Sequence, residues 1–288
     1  MRKLFSRQLV EARHEMLSIF EAVDLTLHDA IDAFVTNDKK LASKAKKETL
    51  RIDARSANLE AVCYNLIATQ SPVASDFRLL QTIIYINFNL SRMSDHVRSI
   101  ARGAKSKAKA DVQVPQELVD LVQKEADLVY RVLGTTASAL VSSDLSIARK
   151  LVALDEPVRE AYEEFFREYN HILSEHSADE HAFDDLRRTI MASRYLERIS
   201  SVSVSIGSRL TFLLTGQRWN ASDIADADEE ELENLRVPSG EGVLLEPAVD
   251  ARYVAELPVD EIEPSLAELI RRSGDALDAD VDDEDAEE

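Results

Sequence analysis

An all-α fold is predicted for this 288-residue chain, as two tandem three-helix bundles followed by an acidic, largely disordered tail, and three observations predict it. Only seven glycines and seven prolines occur in the whole chain, too few for a loop-rich β architecture. Apolar residues recur at helical spacing through six long segments. The second half of that helical region matches the first at a single gapless offset of 106 residues.

The first segment runs from about Arg7 to Asn37, with Met16, Phe20, Val23, Leu27, Ile31 and Phe34 on one stripe. Asp38 is placed to cap the second helix, whose stripe is Leu41, Ala45, Ile52, Leu59, Val62 and Leu66; Ser71 and Pro72 stop it. The third segment runs from about Ser75 to Arg102, with Gly103 suited to the left-handed position after a helix. A polar linker, 103–114, carries Lys105, Lys107 and Lys109. Pro115 then opens three more helices, over about 115–142, 144–175 and 179–215. Serines alternate with Val202, Val204 and Ile206 over 201–208, a strand-like pattern, but the repeat partner of that stretch, 95–102, is helical in pattern and decides for helix. The resulting units are 7–110, 115–219 and the tail 220–288.

The net charge of −20 is unevenly placed: residues 1–219 hold 30 bases and 30 acids, whereas 220–288 hold 4 bases and 24 acids. So acidic a chain is a poor ligand for nucleic acid or an anionic membrane, and no nucleic acid is expected as a partner, although the exclusion is weaker for the neutral bundles. The tail's last stretch, 275–288, is too charged to form a core, while 243–245, 253–257 and 266–270 are apolar islands separated by Pro247, Pro258 and Pro264. One cysteine, Cys63, excludes an intrachain disulfide and reads as a small buried residue. No export signal and no apolar run of about 20 residues is found, which leads to a cytoplasmic expectation.

At the 106-residue offset Ala33 falls on Ala139, Asp38 on Asp144, Ala42 on Ala148, Leu90 on Leu196, Arg92 on Arg198 and Ile100 on Ile206. The third helix of the second unit reads Leu196-Glu197-Arg198-Ile199-Ser200, and that of the first reads Ser91-Arg92-Met93-Ser94-Asp95-His96. The turn from Gln70 to Arg78 contains Ser71-Pro72-Val73-Ala74-Ser75-Asp76-Phe77, and the sixth helix ends at Gly216-Gln217-Arg218-Trp219. Together these resemble the PhoU family of phosphate-signalling proteins over about 7–219, more closely in the first repeat. The resemblance implies a regulator of phosphate homeostasis, not an enzyme, that touches the inner-membrane phosphate transporter and its sensor histidine kinase and forms homodimers. Asp76, Arg78, Arg92 and Arg198 are the motif residues it carries over.

The family binds metal clusters through acid-x-x-x-acid motifs, whose spacing sets two carboxylates on one helix face. Here each motif has lost an acid: Thr49 to Asp53, Ser91 to Asp95, Asp155 to Arg159, and Glu197 to Ser201. Antiparallel helices leave the retained pairs, Asp53 with Asp95 and Asp155 with Glu197, about one turn (roughly 5 Å) out of level. A multinuclear iron cluster is therefore not expected, although two carboxylates and water can hold one divalent ion weakly. The same registration predicts an Arg159–Glu197 ion pair. Arg92 and Arg198 are expected to pair with an acid or helix end in their own bundle.

Lys39, Lys40, Lys44, Lys46 and Lys47 crowd the start of the second helix, a solvated face or a docking patch for an acidic partner or for the tail. Two Glu-x-x-His pairs, Glu11 with His14 and Glu168 with His171, have di-iron spacing but do not match at the repeat offset, which speaks against an oxidase. Two other readings stand beside phosphate regulation: a metal-binding helical-bundle protein using the retained carboxylates, and a cytosolic adaptor that has lost phosphate signalling.

Overall fold

A computed structural model describes residues 2–109, 114–175, 180–216 and 218; the acidic tail, 220–288, lies outside them. The described residues form six helices and no strand: α1 (Arg2–Thr36), α2 (Lys39–Gln70), α3 (Ala74–Lys107), α4 (Gln116–Ser142), α5 (Leu145–Glu175) and α6 (Glu180–Thr215). Helices α1, α2 and α3 pack on one another, as do α4, α5 and α6. The stripe read from the sequence is the core: Phe20, Leu27, Ile31 and Phe34 of α1 are fully buried, with Phe165 of α5 in the other bundle. Burial of each such side chain contributes about 1.5–3 kcal/mol. One stripe residue is misplaced, because Val62 is exposed and Cys63, at i+4 from Leu59, takes the inward position. Burial pushes the Cys63 thiol up to about 12, and Glu60 adds to the effect.

Each bundle turns its first corner in the same way. Asn37 and its repeat counterpart Ser143 both adopt left-handed backbone, with φ of 57° and 55°. Asp38 then accepts hydrogen bonds from the Lys40 and Leu41 amides at 2.7 and 3.0 Å, and Asp144 from the Ser146 amide at 2.8 Å. The Asp38 cap holds its carboxyl below the usual range through the Leu41 and Lys40 amides. At the end of the preceding helix, equivalent carbonyls left without an intrahelical donor each receive a cation. Lys107 donates to the Phe34 carbonyl at 2.9 Å and to Asn37 Oδ1 at 2.7 Å. Arg13 donates to the Leu140 carbonyl at 2.9 Å and to that of Val141 at 3.2 Å.

The Lys107 contact explains why α3 does not stop at Gly103. Lys105 and Lys107, expected in a linker, belong to the last turn of the helix, and Lys107 is buried against the end of α1. Stretch 201–208 is helical as expected, with Ser203, Ser205 and Ser208 donating to carbonyls four residues back. Pro157 lies inside α5, where it removes one backbone donor without ending the helix.

The two bundles join through like helices, α1 on α4 and α3 on α6. Along α3 and α6, Arg209 donates to the Gln81 carbonyl at 3.2 Å, the His96 and Tyr195 rings stack at 5.3 Å, and Gly103 faces the Arg188 carbonyl. Those pairs run in opposite chain directions, so the helices are antiparallel. On the α1 and α4 side His28 stacks on Tyr130 at 3.6 Å, while Arg13 reaches the far end of α4. Helix meeting its own repeat counterpart in antiparallel sense is an isologous contact, the geometry of a two-fold dimer inside one chain.

A Cβ at Gly103 would lie 3.8 Å from the Arg188 carbonyl oxygen, an ordinary contact. Gly103→Ala is expected to gain about 0.5–1 kcal/mol from helix propensity and to raise the thermal midpoint by about 2 °C, read by circular dichroism. A lowered midpoint would show that α3 and α6 have no room there.

Candidate functional site

The middle and third helices of each bundle bring the motif positions face to face, and what fills the space differs between repeats. In the first bundle one guanidinium answers both retained acids: Arg98 of α3 forms an ion pair with Asp53 of α2 and another, at 3.0 Å, with Asp95. Arg98 Nε also donates to Thr49 Oγ1 at 3.0 Å, and Ser94 Oγ donates to Asp53 at 3.3 Å. Asp53 and Asp95 are thus brought together, but around a side-chain cation. Sequence reasoning missed Arg98, although its position, one turn beyond Ser94 and three residues after Asp95, put it on the motif's own face.

In the second bundle Asp155 accepts from Ser200 Oγ at 2.6 Å. Ser200 is the repeat counterpart of Ser94, so the same hydroxyl position serves an acid arriving from one motif position in α2 and from the other in α5. Glu197 is held by Arg194 at 2.9 Å and, more loosely, by Arg198 at 3.6 Å, and accepts from Ser201 Oγ at 3.3 Å. Arg194 lies over the Tyr162 ring of α5, 5.4 Å from its centroid. The expected Arg159–Glu197 pair does not form. Arg159 pairs with Glu156 on its own helix, because a partner three residues away needs less ordering of two long side chains than one across the bundle.

Arg92 is exposed and has no ion pair among the described residues, against the expectation for it, while Arg198 has the 3.6 Å contact with its neighbour. Asp76 lies in the first turn of α3, where an acid complements the helix dipole. Arg78, two residues on, is buried, and among the described residues none of its three guanidinium nitrogens has a hydrogen-bond acceptor. Glu11 pairs with Arg7 on an exposed face of α1, and on α5 His171 is exposed and Glu168 half-buried. Lys39, Lys40 and Lys47 are exposed at the start of α2, Lys46 is half-buried, and Lys44 pairs with Asp29 of α1 at 2.8 Å.

The second group missed from sequence is Glu125 of α4. It is fully buried, takes a hydrogen bond from Ser193 Oγ of α6, and leaves its other oxygen without a partner among the described residues. Burial holds this carboxyl well above the usual carboxylate range; the Ser193 bond pulls the other way and nearby Glu197 pushes it further up. Its repeat counterpart is Ile19, fully buried. An acid aligned with a core isoleucine was a visible signal. At the seam between bundles, burial and the Arg92 charge hold His96 below its usual value, Asp95 opposing and Arg198 adding.

The family-type metal cluster does not fit these residues. Asp53 and Asp95 already face a guanidinium, Asp155 a hydroxyl and Glu197 two arginines. Among the described residues no three His, Cys, Asp or Glu side chains gather around one point. No helix of the described residues is long and apolar enough to cross a membrane.

The PhoU domain model matches residues 16–104 and 122–210, two spans that start and end 106 residues apart. The phosphate-specific transport system accessory protein PhoU homolog 1 of Methanothermobacter thermautotrophicus is 26% identical over 217 residues, 75% of this chain and 97% of that protein. The corresponding homolog of Clostridium acetobutylicum is 26% identical over 223 residues, 77% of this chain and 99% of that protein. The crystal structure of PhoU from Pseudomonas aeruginosa superposes with a TM-score of 0.65 at 24% identity, covering 74% of this chain and all of that one. That of the phosphate transport system regulatory protein PhoU from Streptococcus pneumoniae gives 0.65 at 22% identity, covering 75% and 99%. At such identity the superpositions establish the fold.

Removing Arg98 leaves Asp53 and Asp95 side by side with no cation. Arg98→Met is expected to lose about 1–2 kcal/mol in urea unfolding, and Asp53→Asn in the same chain to lose less than the two changes added separately. Additive losses would mean that the pair is not coupled. For Glu125 the folded carboxyl titrates above the unfolded one, so its contribution is intact below pH about 4.5 and declines as pH rises toward the folded value. Glu125→Gln should therefore match the wild type near pH 4 and exceed it increasingly toward pH 8; parallel stability curves would refute a neutral buried Glu125.

Proposed function

The chain belongs to the PhoU family, and on that premise we propose that it is an accessory regulator of phosphate-specific transport, working by protein contact and not by catalysis. The observation that carries the reading is the double PhoU-domain match, at the repeat spacing, together with relatives that bear the phosphate-transport name along nearly their whole length. The physical form suits such a role. Long antiparallel helices present rigid faces to another helical protein, with apolar and charged side chains at fixed spacing.

The partners proposed are the phosphate transporter and its sensor histidine kinase, and the protein is proposed to act as a cytoplasmic homodimer. Lys39, Lys40 and Lys47 form the proposed docking patch for an acidic partner face, since they are exposed and among the described residues carry no ion pair. Lys44 is a poorer contributor, its ammonium being already bound to Asp29. The metal-protein reading draws no support from the retained acids, which face protein donors.

Deletion of the gene should raise phosphate uptake and phosphate-starvation gene expression in replete medium. A full-length Lys39→Glu, Lys40→Glu, Lys47→Glu variant should restore the response poorly and recover the transporter or kinase at least fivefold less in pull-downs, with an unchanged thermal midpoint. An unaltered phosphate response on deletion would remove the proposal.

A further inference from the structure

On the face of the first bundle nearest the end of α6 lies an open groove of about 580 Å³ between α2, α3 and α6. Tyr64, Tyr85, Phe88 and Phe212 form its aromatic walls, and Phe88 and Tyr64 are 61% and 53% exposed. Its charge is supplied by two arginines. Arg209 lies over the Tyr85 and Phe212 rings, 4.9 and 4.4 Å from their centroids, and Arg218 stands over Phe212 at 5.7 Å. Burial and, after it, the Arg218 charge hold the Arg209 guanidinium below its usual value, and Arg209 Nε has no hydrogen-bond acceptor among the described residues. The groove's one acid, Glu60, already accepts the Tyr64 hydroxyl at 3.2 Å. Further along the same stripe of α3, one turn before Gln81, comes Arg78 with its unbonded nitrogens. Exposed aromatic surface with cations that lack carboxylate partners, among the described residues, calls for an occupant both apolar and acidic.

The chain carries such a segment and delivers it to this place. Arg218, the last described residue, is itself part of the groove's lining. After it, residues 253–263 hold four acids and no base, with Tyr253, Leu257 and Ile262 as apolar side chains. Pro258 and Pro264 bias the residues before them toward extended backbone, the form that aromatic-lined grooves accept. The 34 residues from 219 to 252 can span more than the length of the groove at up to about 3.3–3.6 Å each. A connection of that length also keeps the segment at an effective concentration on the order of millimolar. The Lys39–Lys47 patch is a poorer seat for it, because it sits at the far end of α2 and its lysines offer charge without an aromatic floor.

We propose that residues 253–263 of the tail dock in this groove of the same chain, their carboxylates on Arg209 and Arg218 and their apolar side chains on Tyr64, Tyr85, Phe88 and Phe212.

The test uses the full chain with the photoreactive residue benzoylphenylalanine in place of Phe88, and in a second version in place of Tyr64, both exposed positions. Equal amounts of light and ¹⁵N-labelled protein are mixed, irradiated, digested and mapped by mass spectrometry. Expected are crosslinks to 253–263 within one isotopic chain, reduced at least fivefold by Arg218→Glu and at least threefold by 0.5 M salt. Absence of crosslinks from both probes, crosslinks to other parts of the tail, mixed light and heavy pairs, or indifference to Arg218→Glu would each overturn the proposal.

Discussion

The end of the first helix in each repeat is the point on which the rest of the molecule depends. A helix that stops abruptly leaves carbonyls facing outward, and a chain that must reverse within two residues needs left-handed backbone and a cap for the next helix. Both repeats meet these demands with the same pair of positions, Asn37-Asp38 and Ser143-Asp144. They meet the third demand, a cation on the stranded carbonyl, from different places. Lys107 comes from the third helix of the same bundle, whereas Arg13 comes from the first helix of the other. The first corner is thereby tied within its bundle and the second is tied across the seam, so a local requirement of one helix end also sets how the bundles lie together.

The motif faces show how charge is handled once ligand acids are lost. An unpaired carboxylate against a helix partner is costly, and each remaining acid has acquired a donor: a shared guanidinium for Asp53 and Asp95, a hydroxyl for Asp155, two arginines for Glu197. The two bundles have taken different routes to the same end, the first one guanidinium shared by two acids, the second a hydroxyl for one acid and flanking arginines for the other. Such differences make the repeats inequivalent as surfaces, although their backbones follow one plan.

Most of the fold was legible because the repeat offset and the helical stripes depend on many residues at once. Errors came where one residue decides. Gly103 suggested a helix end, but the helix runs on because Lys107, a residue whose type suggests solvent, finds acceptors at the end of α1. Cys63 is buried as expected, but Val62 was placed on the inward stripe beside it and is exposed, because both suit an apolar stripe and only the packing selects between adjacent positions. Level registration across two helices suggested an Arg159–Glu197 pair, and the nearer Glu156 prevailed. At the motif face the acids themselves were readable, yet their partners Arg98 and Ser200 were not, since a contact between helices depends on rotation and rise that no spacing within one helix reports.

The seam between like helices has a consequence for how the protein can change. In a symmetric dimer of single repeats every substitution enters the interface twice, and a residue suited to one side must suit its image as well. Joining the repeats in one chain removes that restriction. Arg209 can sit between Tyr85 and Phe212 without an equivalent stack being required on the opposite side, and Glu125 can stand where the other half keeps isoleucine. The covalent link between the halves thus acts as a licence for asymmetry: one half can specialise in holding the molecule together while its twin is reshaped.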